Sequence, residues 1–170
     1  MKDPYKLLIV DDSKLIRRAV SNIFKDQEKF RVVGEAGNGK EALELLPKLN
    51  PDVVTLDINM PVMDGLTTLK HIMIKSPRPT VMLSSLTQEG ASVTFDALKY
   101  GAIDFIPKPT RTNGDNLGEQ ELNIIKKINL AAEVEIESIQ YIRSIPKEKS
   151  DKRPDGIECK GMIAMGASEG

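Results

Sequence analysis

The chain has 170 residues, of which 40% are hydrophobic and 29% charged, with a formal net charge of −1. That length suits one domain of ordinary size plus extra segments, and the balanced charge gives no general pull toward nucleic acid or an anionic membrane. A lone cysteine, Cys159, excludes an internal disulfide framework, no apolar stretch nears the ~20 residues that span a bilayer, and the polar opening Met1-Lys2-Asp3-Pro4-Tyr5 does not read as a signal peptide. A cytoplasmic protein without membrane insertion is expected.

Short Leu/Ile/Val runs begin near Lys6, Phe30, Asp52, Pro79 and Ala102. They lack polar alternation, as strands covered on both faces do. Helical patterns lie between them. Ser13 can cap the first helix, with Ile16, Ala19, Val20, Ile23 and Phe24 on one face. Asn38 can cap the second, with Ala42, Leu43, Leu46 and Leu49 inward, and Pro47 is expected to end or distort its last turn. Residues 64–75 and 90–100 read as a third and a fourth helix, the latter closed by Gly101 in a left-handed conformation. The alternation predicts an α/β fold, a five-stranded doubly wound parallel sheet.

The tail reads differently. Leu122, Ile125, Ile128, Ala132, Ile136, Ile139 and Ile142 keep helical spacing from about residue 118 to 143. This predicts a last helix of roughly 25 residues, about twice the usual length, whose second half runs past the domain. Residues 146–156 mix charges with two prolines and lack an apolar anchor, which makes them a linker. An apolar stretch follows at 161–165, then Gly166-Ala167-Ser168-Glu169-Gly170, like the opening of a second domain. The expected division is a receiving domain over 1–144, a linker over 145–159 and the start of another domain over 160–170.

Four of the strand-like runs end in polar groups: Asp11-Asp12, Asp57, Ser84 and Lys108. In a parallel sheet these ends lie on one edge, where ligands bind. Three carboxylates, a hydroxyl and an ammonium around one cleft suit a divalent cation and a phosphoryl group. Mg²⁺ (or Mn²⁺) takes carboxylates, carbonyls and waters, and Asp11, Asp12, Asp57 and the Asn59 backbone carbonyl can supply them. Asp57, at the end of the central strand, is the candidate nucleophile, since a carboxylate that attacks phosphorus gives an acyl phosphate. Lys108 would neutralise charge and the Ser84 hydroxyl would bind a phosphoryl oxygen. Each group alone has an ordinary explanation, such as a helix-start acid or a solvated lysine. Their joint appearance at four strand ends argues against it.

Residues 5 to about 130 resemble a response-regulator receiver domain. The matching elements are Asp11-Asp12, Asp57 within Leu56-Asp57-Ile58-Asn59-Met60-Pro61-Val62-Met63-Asp64-Gly65, Ser84, and Phe105-Ile106-Pro107-Lys108-Pro109. The resemblance implies a flavodoxin-like strand order 2-1-3-4-5. It also implies that Asp57 takes a phosphoryl group from a histidine kinase, that Asp11, Asp12 and Asn59 hold Mg²⁺, and that Ser84 and Phe105 form a switch pair. A cis Lys108-Pro109 bond, frequent in that family, is expected.

Ser84-Ser85-Leu86-Thr87 and Gly101-Ala102-Ile103-Asp104-Phe105 are further similar to the chemotaxis protein-glutamate methylesterase family (CheB). Ile163-Ala164-Met165-Gly166-Ala167-Ser168 resembles the turn that carries that family's catalytic serine, which makes Ser168 its counterpart, while Glu169 departs from the usual Thr. The implied partners are an esterase domain of the same protein and methylated chemoreceptors. A serine nucleophile needs a base. The only histidine, His71, falls on the third helix, so no esterase activity is expected from these residues themselves. A partner-docking or dimerising receiver is the alternative reading. A DNA-binding regulator is disfavoured, because the tail has no basic recognition helix. No role is assigned to His71 or Cys159.

Overall fold

A computed structural model describes residues 3–84, 90–109 and 117–135. The elements alternate strictly: β1 (Tyr5–Val10), α1 (Lys14–Phe24), β2 (Phe30–Ala36), α2 (Gly39–Leu49), β3 (Val53–Asp57), α3 (Gly65–Lys75), β4 (Thr80–Ser84), α4 (Gly90–Lys99), β5 (Asp104–Pro107) and α5 (Leu117–Ala132). The strands form one parallel sheet in the order β2-β1-β3-β4-β5. The expected doubly wound architecture is therefore present.

Both faces of the sheet are covered, which explains why the strands carry continuous apolar runs. Successive side chains point to opposite faces. Leu8, Val10, Val54, Leu56 and Met82 pack with Ala42 and Leu46 of α2, Leu69 and Ile72 of α3 and Ala97 of α4. Leu7, Ile9, Val53, Val81, Leu83 and Ile106 pack with Val20 and Phe24 of α1 and Ile124, Ile128, Ala131 and Ala132 of α5. Every residue of β3 is buried, so this strand is the axis of the domain.

Local chemistry starts and stops the helices where the sheet needs them. The Ser13 hydroxyl accepts the Ile16 N–H at the start of α1. At α2, Asn38 Oδ1 accepts the Glu41 N–H and the Glu41 carboxylate takes the Gly37 N–H, a variant of the capping box. Asp64 caps α3, its Oδ1 accepting the Thr67 N–H at 2.8 Å. Gly101 follows α4 with φ at 102°.

Two helices end elsewhere than the sequence suggests. Pro47 does not end α2: it sits inside a helix that runs to Leu49 and closes on Asn50 at φ 45°. Proline removes one hydrogen bond, but burial of Ala42 and Leu46 against the sheet outweighs that loss. The last helix also stops at Ala132, after 16 residues. The Val134 N–H returns to the Ala131 carbonyl at 3.1 Å, and the Val134 side chain packs back against the core. Burying Val134 competes with extending the helix into solvent. Ile136, Ile139 and Ile142, and the whole of the expected linker and second-domain start, lie outside the described residues.

Gly65 sets the distance between α3 and the end of β3. Its N–H donates to the Ile58 carbonyl at 2.8 Å. A Cβ here would stand 2.1 Å from the Asp57 carbonyl oxygen and 2.8 Å from Ile58 Cα, both backbone atoms. Gly65→Ala is therefore expected to destabilise the domain by about 1–3 kcal/mol through overpacking. Urea unfolding followed by circular dichroism checks this; an unchanged midpoint would contradict the packing described.

Candidate functional site

At the carboxyl edge of the sheet, β1, β3 and the segment after β5 bring their end residues together. Asp11 and Asp57 are buried, at 0% and 1% exposure, while Asp12 is open to solvent. One carboxylate oxygen from each of the three lies within 4.8 Å of the others. The Lys108 ammonium reaches both buried acids, at 3.0 Å from Asp11 Oδ2 and 2.8 Å from Asp57 Oδ2.

The remaining oxygens are held by local backbone. Asp11 Oδ1 accepts the Ser13 N–H at 2.9 Å, and Asp57 Oδ1 accepts the Asn59 N–H at 3.3 Å. Oδ2 of each acid has no hydrogen bond of regular geometry and is balanced only as an ion pair with Lys108. Two buried, incompletely satisfied carboxylate oxygens beside a third, exposed carboxylate form a donor set for a hard divalent cation.

The expected lysine geometry needs one correction. The Lys108-Pro109 peptide is trans, as are all described peptide bonds. The Lys108 N–H donates to the Ser84 carbonyl at 2.9 Å, and from that anchor the side chain reaches both acids. A cis bond is not needed to aim it, and trans is the form favoured by about 0.5–1 kcal/mol. Ser84 ends β4, half-buried, paired in register with Pro107. Phe105 is partly buried against the core face formed with α2, α3 and α4. Asn59 is exposed beside Asp57, and His71 is half-buried on α3. Ser168 and Cys159 lie outside the described residues.

Sequence reasoning missed Arg17. Its guanidinium donates to the backbone carbonyl of Asp11 at 2.7 Å and of Asp12 at 3.3 Å, and its Nε pairs with Glu35 at 3.1 Å. It thereby fixes the loop that carries both acids. Nothing in helical periodicity separates it from an ordinary solvated arginine. Val62 was missed too. It adopts φ 68°, a left-handed conformation uncommon for a β-branched residue, in a tight turn where Met63 N–H meets the Pro61 carbonyl at 2.7 Å. This exposed, strained turn joins the Asp57 strand end to the Asp64 cap, the kind of strain that gathers at functional sites.

Burial pushes the Asp57 carboxyl above its ordinary range and the like charge of Asp11 adds to this, while Lys108 opposes it. For Lys108, burial pulls the ammonium down, but Asp57 and Asp11 outweigh it and hold it above its ordinary value. Lys108 is thus charged at neutral pH.

A family model described as "Response regulator receiver domain" matches residues 7–115. The chain belongs to the response regulator receiver family. The receiver is 43% identical over 167 residues, 97% of the chain, to a "Protein-glutamate methylesterase/protein-glutamine glutaminase" of Pyrococcus horikoshii. It spans 45% of that relative, so less than half its length. Among solved structures it is similar to the response regulator domain of Thermotoga maritima CheB, with 41% identity, a TM-score of 0.69, and coverage of 78% of this chain and 98% of that one. It is also similar to a chain of the CheX-CheY-BeF3-Mg complex from Borrelia burgdorferi, at 33% identity and TM-score 0.61, covering 74% and 87%. The receiver is thus that of a CheB-like chemotaxis response regulator. Among the described residues no helix is long and apolar enough to cross a membrane.

The raised Asp57 carboxyl has a definite linkage consequence. The native receiver binds that proton more tightly than the unfolded chain, so its contribution is fully present below the unfolded value of about 3.8 and is lost as pH rises through the native value. Asp57→Asn cannot lose it. In cation-free buffer, the variant is expected to gain on the wild type as pH climbs from about 4, by at most about 1.4 kcal/mol per pH unit within the window. The difference should level off once the pH has passed the native value of Asp57. Urea midpoints across that range check this, and a variant that loses ground with rising pH would contradict it.

Proposed function

We propose that Asp57 accepts a phosphoryl group from a histidine kinase. The observation that carries this reading is the buried Asp57 Oδ2, free of regular hydrogen bonds and 2.8 Å from the Lys108 ammonium. In the step, an Asp57 carboxylate oxygen forms a bond to phosphorus. The bond from phosphorus to the donor breaks, and the donor nitrogen or oxygen leaves with that electron pair and takes a proton. The product is an acyl phosphate.

Such transfer depends on positioning and on neutralising charge over the phosphoryl oxygens. Lys108 supplies one positive charge from a backbone anchored to β4. The Ser84 hydroxyl, at the end of the neighbouring strand, would take a phosphoryl oxygen, and Phe105 would follow its movement. Asp11, Asp12 and Asp57, with the Asn59 backbone carbonyl, would hold Mg²⁺ or Mn²⁺, whose contribution when bound is further charge neutralisation on the phosphoryl oxygens. The orphaned oxygens of Asp11 and Asp57 support that fit. The magnesium and beryllofluoride named with the similar Borrelia burgdorferi chain support it too.

The output we propose is control of a C-terminal glutamate methylesterase acting on methylated chemoreceptors in the cytoplasm, with Ser168 as its nucleophile. The methylesterase relatives support this reading. A docking or dimerising output is favoured by a different observation. Phe95 and Leu98 of α4 and Leu122 of α5 are exposed, at 61%, 46% and 67%. Such side chains fit a surface that meets another domain.

Incubation with a small-molecule phosphodonor and Mg²⁺, followed by intact-mass spectrometry, should add one phosphoryl group to the wild type and none to Asp57→Asn. Asp12→Ala should weaken Mg²⁺ binding and slow labelling. Full labelling of Asp57→Asn would refute the assignment.

A further inference from the structure

β5 is the edge strand of the sheet, so one side of its backbone has no partner strand. That side is closed at Phe105 by two side chains. Asp104 Oδ1 accepts the Phe105 N–H at 2.6 Å. The Lys127 ammonium, from α5, donates to the same Asp104 Oδ1 at 2.9 Å and to the Phe105 carbonyl at 2.7 Å. One carboxylate and one ammonium thus hold both backbone polar groups of a single residue.

This arrangement contributes little to stability. The two side chains are 42% and 30% exposed, and ion pairs in contact with water are worth little. Water could replace either partner. What the pair supplies is position. Lys108 lies three residues beyond Phe105, in the sequence Phe105-Ile106-Pro107-Lys108-Pro109. Ile106 is fully buried, and prolines on both sides of Lys108 restrict the backbone there. The segment is stiff, so a shift at Phe105 is transmitted to Lys108. The ammonium of Lys108 has to stay within reach of two buried acids at once.

We propose that Asp104 and Lys127 form a latch that positions Lys108 in the acidic cleft and ties that position to α5. The proposal rests on Asp57 as phosphoacceptor with Lys108 as its counter-charge. Asp104 and Lys127 are positioning residues, since neither touches the acids.

The test is a double-mutant comparison of Asp57 labelling rates with phosphoramidate and Mg²⁺ on the full chain. Lys127→Met keeps the aliphatic stem and removes the ammonium. It should slow labelling about three- to thirtyfold, inside the roughly two- to 160-fold span that coupled neighbours cover, with the urea midpoint nearly unchanged. Lys127→Arg should restore most of the rate. In a Lys108→Ala background, Lys127→Met should have no further effect. Asp104→Asn, which keeps the side chain's shape, supplies the same comparison should Lys127→Met fold poorly. Wild-type rates in Lys127→Met, or an equal slowing with and without Lys108, would overturn the latch. Those outcomes leave the phosphoacceptor reading intact, because that reading fails only if Asp57→Asn still labels.

Discussion

The ammonium of Lys108 between Asp11 and Asp57 is the interaction on which the rest of this domain turns. Two buried carboxylates in contact distance of one cation are costly to assemble. Desolvating a charge costs several kcal/mol even after relaxation, and the like charges of Asp11 and Asp57 add to the strain on Asp57. A single lysine offsets part of this. The cleft as it stands holds three carboxylates against one ammonium, so it remains short of positive charge. That deficit is what makes a divalent cation a natural occupant. Stability here is given up locally in return for a site that can bind.

Rigid backbone makes that concentration of charge tolerable. β3 is buried along its whole length, Arg17 pins the carbonyls of Asp11 and Asp12, and α3 is pressed so close to the end of β3 that only glycine fits at position 65. Between them the chain turns through Val62 at positive φ. A flexible loop there would let Asp57 rotate toward water and lose its proximity to Lys108. Asp64 shows the complementary arrangement: burial pushes its carboxyl up, but the Thr67 N–H and hydroxyl outweigh this and hold it below the ordinary carboxylate range. Two acids seven residues apart are thus tuned in opposite directions, one by burial and one by hydrogen bonds.

The strand order came only from the resemblance to receivers, but the strands and the acidic cleft were legible in the sequence itself for one reason. A buried parallel strand is a continuous apolar run, so the polar residue that ends it is conspicuous, as Asp57 is after Val53-Val54-Thr55-Leu56. The caps Ser13 and Asn38 were legible because their chemistry is local. What was not legible depends on tertiary context. Pro47 reads as a helix stop until Ala42 and Leu46 before it, and the partly buried Leu49 after it, are seen to pack on the core. The end of α5 at Ala132 reflects competition between extending a helical pattern and burying Val134, which periodicity alone cannot weigh. Arg17 and Lys127 look like solvated charges in sequence. Their importance comes from the backbone carbonyls they meet, and a carbonyl leaves no trace in a sequence pattern.

These contacts also limit how any signal in the cleft can travel. A group bound there shifts the domain only by interacting differently with two arrangements of it. Asp11, Asp12 and Asp57 sit at strand ends whose backbone is held in place, so neither binding nor bond formation there moves them far. Lys108 is different. Its N–H is bonded to the Ser84 carbonyl, and its segment passes through Phe105, whose carbonyl is bonded to α5. A change in what the ammonium faces is therefore felt at the β4 end, at the β5 edge and on α5. The exposed apolar residues Phe95, Leu98 and Leu122 lie on α4 and α5, the helices on either side of β5. Charge in the cleft and apolar surface on the flank are thus joined through a short run of backbone, and the cation at its head is the group best placed to respond to a new anion.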